Sequence, residues 1–124
     1  MIDKNLKLTL PTNEDINKYP MLSELLESLY EETKDLSKKA PKDCLNEFKV
    51  KNINRVLIPI KQILAKQPSV EFLDLLDSET LPTYSDAILV LAQYQAALKQ
   101  FRNTYYVQDA SYKYHWLTQE SSNK

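Results

Sequence analysis

Apolar positions recur at helical spacing through most of this chain, and the longest unbroken pattern runs from Thr83 to Tyr106. Tyr84, Ala87, Ile88, Leu91, Tyr94, Leu98, Phe101 and Tyr105 follow one another in steps of three and four. That spacing places them on one face of a helix. Leu89, Val90 and Ala97 widen the face, so several neighbours are expected to touch it. Thr83 stands where an N-cap should, and Asp86 three residues on completes a capping box and sets negative charge at the positive end of the helix dipole. At about 1.5 Å per residue the element would span roughly 36 Å.

Three further helical patterns precede it. Pro20 suits a first helical position, and from it Leu22, Leu25, Leu26, Leu29, Thr33 and Leu36 form a stripe. Lys38 and Lys39 complement its C-terminal end, and Pro41 stops it near Ala40. A short turn over 12–18, capped by Thr12, leads into it. Asp43 is read as the cap of a second helix reaching about residue 67, in which Ile53, Val56, Leu57, Ile60, Ile63 and Leu64 hold phase across Pro59. The preserved phase predicts one helix kinked at Pro59, rather than two. A third, short helix is expected over 69–77, with Phe72, Leu73, Leu75 and Leu76 as its apolar set.

The ends are less regular. Leu6, Leu8 and Leu10 alternate with Lys7 and Thr9, the period of a strand. Residues 1–11 are read as an extended arm over the core, with pairing to an edge on another chain as the sharper alternative. After Tyr106 the pattern weakens. The segment to residue 117 permits continued helix, but Tyr112, Tyr114 and Trp116 also alternate as in an extended segment. Residues 118–124 read as a frayed tail. The expected fold is all-α: one domain over 1–124, a small bundle of about four helices with a long final helix and the N-terminal arm.

Composition sharpens this. The chain of 124 residues contains no glycine, where about eight or nine would be usual. Glycine supplies the left-handed conformations of tight hairpins and phosphate-cradling loops. Its absence removes the P-loop, the dinucleotide-binding turn and the nucleophile elbow. It also argues against many-stranded β architectures. Cys44 is alone, so no intrachain disulfide or thiolate metal cluster forms. The N-terminus does not read as a signal peptide, and no apolar run reaches membrane-spanning length. The cytoplasm is the default compartment.

Chemistry is sparse. His115 is the single histidine and lacks a glutamate three residues before it, which argues against a helical di-iron site. Glu24, Glu27 and Glu31 fall on adjacent turns and read as a solvated face. Cys44 has no paired base and reads as a small apolar residue. Neither Arg55 nor Arg102 has a histidine at the spacing of small helical ribonucleases. No catalytic residue, metal ligand or cofactor is assigned, and the chain reads as a non-enzyme.

Charge is uneven although the net charge is -1. Residues 42–66 carry Lys42, Lys49, Lys51, Arg55, Lys61 and Lys66 against Asp43 and Glu47. Residues 71–86 carry only acids. The simplest account packs the acidic segment near the basic one. The sharper account is a basic helix for phosphates, disfavoured by a total of two arginines, the residue most used in base readout.

The aromatic cluster is the remaining candidate. Tyr105, Tyr106, Tyr112, Tyr114 and Trp116 fall within twelve residues, with Lys113 and His115 among them. Polar-tipped aromatics are enriched at interfaces, and they also suit the wet end of a core. The best reading is a cytoplasmic helical protein that binds another protein through these five residues, as adaptors, assembly factors, immunity proteins and inhibitors do. A second copy of the chain is admissible as that partner; a membrane is not. The alternative is a nucleic-acid-associated accessory subunit using residues 42–66 and the C-terminal aromatics.

Overall fold

The computed structural model describes residues 9–122. It is predominantly helical, with three long helices, one short one and a two-stranded sheet. Most of the expected N-terminal arm lies outside the described residues. Leu10 and Pro11, at its end, are buried.

Helix α1 runs from Asn13 to Lys39 and, at 27 residues, is the longest element. A turn followed by a restart at Pro20 was the expectation; one helix passes through it instead. Thr12 explains the early start, because its Oγ1 accepts from the Asp15 amide while the Asp15 carboxylate accepts from the Thr12 amide. Ile16, Tyr19, Leu22 and Leu26 keep helical phase across Pro20, and the proline itself lies on the exposed side. The buried stripe is narrower than predicted. Leu22, Leu26 and Thr33 are buried, Leu29 is half-buried and Leu25 is 42% exposed.

Helix α2 spans Glu47–Ile63 and continues through Pro59. Its cap is Asn46, whose Oδ1 accepts from the Lys49 amide at 2.8 Å, and not Asp43. Residues 41–45 are committed elsewhere. Cys44 forms an antiparallel bridge with Thr83, the Leu45 amide donates to the Pro82 carbonyl, and the Tyr84 amide donates to that of Asp43. This seam fixes the start of the helix that follows Thr83 beside the end of α1. Leu45 fills the core there while Cys44 is exposed, contrary to its reading as an apolar filler.

The helix expected over 69–77 is a 3-10 turn at Pro68–Phe72 followed by extended chain. Gln67 offers no side-chain cap, and Leu73 is already extended. Leu73 and Leu76 point into the core while Asp74 and Leu75 face outward. Two side chains hold this segment. Asn54 accepts from the Leu76 amide and donates to its carbonyl, at 3.0 and 2.8 Å, and the Tyr94 hydroxyl donates to the Asp74 carbonyl. The acidic segment thus lies against the basic helix through the Asn54 amide, and against the helix that carries Tyr94 through its hydroxyl. Among the described residues no ion pair joins the two.

Helix α3 covers Tyr84–Tyr105, with the predicted capping box between Thr83 and Asp86. Ala87, Leu91, Tyr94, Ala97, Leu98, Phe101 and Tyr105 form its buried face. It packs chiefly along α1, antiparallel to it, since the Ser85 amide meets the Pro41 carbonyl and Phe101 meets Tyr19. The possible continuation to residue 117 does not occur. Strands β1, Tyr106–Gln108, and β2, Tyr114–Trp116, pair antiparallel instead. Of the expected tail, residues 118–122 are ordered, because Thr118 is buried and caps α4, Gln119–Ser122, and residues 123–124 lie outside the described residues. No helix among the described residues is long and apolar enough to cross a membrane.

Candidate binding surface: the C-terminal hairpin and the adjoining groove

The five aromatics singled out in the sequence fall into three different environments. Tyr105 is buried, its hydroxyl 2.9 Å from Thr9 Oγ1 and 3.0 Å from Gln67 Oε1. It is a core residue with a satisfied polar tip, which contradicts its assignment to an exposed surface. Trp116 is half-buried, at 5.0 Å from the Tyr19 ring and 5.8 Å from that of Phe101. Its assignment to the partner contact is therefore corrected in part, since the ring packs against the core. Tyr106 stands between the two layers, stacked on Tyr114 at 5.4 Å and tilted against Trp116 at 5.1 Å. Tyr114 and Tyr112 are 59% and 82% exposed.

The register explains the ladder. Tyr106 lies opposite Trp116 and Gln108 opposite Tyr114, so these four side chains share one face of the hairpin. Phe101, Trp116, Tyr106 and Tyr114 then step from core to solvent. Arg102 lies one helical turn before Tyr106, with its guanidinium carbon 4.8 Å from the ring centre. This cation–π contact covers the outer face of the aromatic column.

The turn is built without glycine. Asp109 Oδ1 accepts from the amides of Ser111 and Lys113, its backbone amide donates to the Lys113 carbonyl, and its carbonyl accepts from the Tyr112 amide. Closing the turn puts Tyr112 at φ 63, a left-handed conformation that an aromatic residue seldom adopts. Gln108 Nε2 donates to the Tyr112 carbonyl and fixes it further. His115 Nδ1 lies 3.9 Å from Asp109 Oδ2, at the limit of an ion pair.

An open groove of about 390 Å³ runs from this column between α1 and α3. Tyr19, Ser23, Glu27 and Glu31 line the α1 side, Lys99 and Arg102 the α3 side. Burial raises the Tyr19 phenol pKa, opposed by Arg102 nearby and a hydrogen bond with Ser23. Sequence reasoning missed this groove. The available signal was Arg102 four residues before Tyr106, a spacing that brings side chains together on a helix. A further cavity, of about 360 Å³, lies beside Thr9, Gln67 and Tyr105 and is bordered by their hydrogen bonds.

Among the described residues no group of three or more His, Cys, Asp or Glu could hold a metal ion. Glu24, Glu27 and Glu31 are exposed. On α2, Lys51 pairs with Glu47, and Lys49 donates to the Tyr84 hydroxyl at 2.7 Å. No protein family, curated protein or solved structure matches the chain.

Proposed function

We propose that the protein is a non-catalytic, cytoplasmic binding protein. In this reading its helical bundle is a scaffold, and Tyr106, Tyr112 and Tyr114 form the contact for another protein chain. The supporting observation is Tyr112, which is 82% exposed and held at φ 63. A bulky residue in that region costs on the order of 1–2 kcal/mol; the turn's hydrogen bonds offset this, while the exposed ring itself adds little to the core. Strain of this kind concentrates at functional positions. Large exposed aromatics are also the residues that interfaces use as anchors. Trp116 and Tyr105 serve here as the support that holds the contact rigid.

The test is affinity capture with mass spectrometry, comparing the native chain with a Tyr112→Gly/Tyr114→Ala variant. Glycine accepts the turn geometry, so the thermal midpoint should move only a few degrees while the captured partner is lost. Retained capture, or a midpoint lower by about 10 °C or more, refutes the reading. The nucleic-acid alternative rests on the exposed Lys51, Arg55 and Lys66 of α2 and its exit. It predicts a mobility shift that weakens steeply with salt.

A further inference from the structure

The charges lining the groove between α1 and α3 are arranged by position. Because α1 and α3 are antiparallel, Arg102 and Tyr19 lie at the hairpin end, and Lys99 with Ser23 comes one turn further. Glu27 and Glu31 lie beyond them. Arg102 and Lys99 form no ion pair among the described residues, and Glu27 and Glu31 form none either. The Arg102 guanidinium carbon lies 4.8 Å from the centre of the Tyr106 ring, so the cation is held against the aromatic column. A guanidinium restrained by an aromatic ring and without a carboxylate partner of its own among the described residues keeps N–H donors for a carboxylate brought by a ligand.

We infer that the hairpin end of this groove binds a carboxylate of an acidic peptide segment, received by Arg102 and Lys99. The inference rests on the reading of the hairpin as a protein-binding surface and names what the partner brings to it. The Tyr106–Tyr114 stack supplies apolar contact directly beside the charge. A polyphosphate strand fits less well, since Glu27 and Glu31 would repel its continuation along the same groove and the chain's net charge is -1. A peptide with one or two acids at its leading end meets no such penalty.

The experiment titrates the full chain with a blocked peptide of two glutamates followed by alanines, its Gln and Lys counterparts, and a single-stranded oligonucleotide, into the millimolar range. Trp116 is the sole tryptophan and adjoins the site through its ring contacts with Tyr19 and Tyr106, so its emission reports binding; backbone amide shifts give an independent readout. The Glu peptide should bind saturably, at least about tenfold more tightly than the Gln peptide, since charge-assisted bonds exceed neutral ones by about that factor. Lys99→Gln/Arg102→Gln should remove this preference, and Glu27→Gln/Glu31→Gln should not weaken binding. Equal binding of the Glu and Gln peptides, binding of neither, preference for the Lys peptide, or tighter binding of the oligonucleotide would each overturn the assignment. Capture of the natural partner separates the two proposals. Loss in Tyr112→Gly/Tyr114→Ala with full retention in Lys99→Gln/Arg102→Gln keeps the aromatic contact and discards the acidic segment.

Discussion

Asn54 is the side chain whose loss should be felt furthest from its own position. It is half-buried on α2 and makes two hydrogen bonds to one residue, accepting from the Leu76 amide at 3.0 Å and donating to the Leu76 carbonyl at 2.8 Å. In effect it replaces the strand that this extended segment lacks. Asn54→Ala removes both bonds and strands two backbone groups next to the buried Leu76. Each net bond is worth about 1 kcal/mol, and an unsatisfied buried group costs roughly 1–3 kcal/mol. Water reaching the half-buried site recovers part of this, so about 2–4 kcal/mol is expected. For a domain of this size that corresponds to a midpoint lower by roughly 6–16 °C.

Urea unfolding and amide hydrogen exchange read this in complementary ways. The denaturation midpoint should fall with an unchanged slope, as for a stability change without altered compactness. The Leu76 amide should lose protection before those of α3 do. Asn54→Asp adds a control, because it keeps the acceptor and turns the donor into a repulsive oxygen facing the Leu76 carbonyl. It should be at least as damaging as alanine at neutral pH. A midpoint shift below about 2 °C for Asn54→Ala would show that the segment is held by Leu73 and Leu76 packing alone, and the reasoning would fail.

Two other predictions follow from the same packing. Pro20→Ala restores an amide donor to the Ile16 carbonyl within α1 and should stabilise the protein by roughly 1–3 kcal/mol, measured by urea unfolding; no gain would mean the released carbonyl is already satisfied. Tyr94 has its phenol pKa pushed up to about 12, by burial first and by Asp74 nearby second. A raised folded-state pKa gives stability that is complete below the ordinary value of 10.0 and lost as pH rises through about 12, so the late phenolate absorbance should lose one tyrosine in Tyr94→Phe, and that variant should flatten the alkaline fall in stability.

Much of the helical framework was legible because it depends on local signals. Thr83 and Asp86 announce the start of α3, and the apolar phase across Pro59 announces the continuity of α2. The same argument applied to Pro20 should have predicted continuity there, but Thr12 offered a nearer cap and a favourable first position for proline tempted a restart. The 69–77 segment was misread because four apolar residues in six suggest a helix, whereas Asn54 and Tyr94, distant in sequence, impose an extended path. The hairpin was hidden for a different reason. Absence of glycine was taken to disfavour left-handed turns, yet Tyr112 at φ 63 and Leu81 at φ 30 both supply one. The groove was invisible because its two walls come from helices about seventy residues apart in sequence.

How the two ends of the chain meet explains why the aromatics served two readings at once. The Gln119 amide donates to the Pro11 carbonyl and its side chain to that of Leu10, while the Glu120 carboxylate accepts from the Asn13 amide at the start of α1. On the other side, the Tyr105 hydroxyl meets Thr9 and Gln67. The hairpin is therefore clamped at its base from both directions, and only residues 108–115 project as an exposed tip. Tyr105 and Trp116 belong to the clamp, Tyr112 and Tyr114 to the tip, and Tyr106 joins them. Replacing Tyr112, Tyr114 and Trp116 together would damage core and surface in a single step, so a loss of binding could not be told from a loss of fold. Substitutions confined to the tip leave the base bonds and the Tyr19–Trp116–Phe101 contacts in place. They isolate the part of the cluster that the fold does not require, and so test the proposed binding role separately from stability.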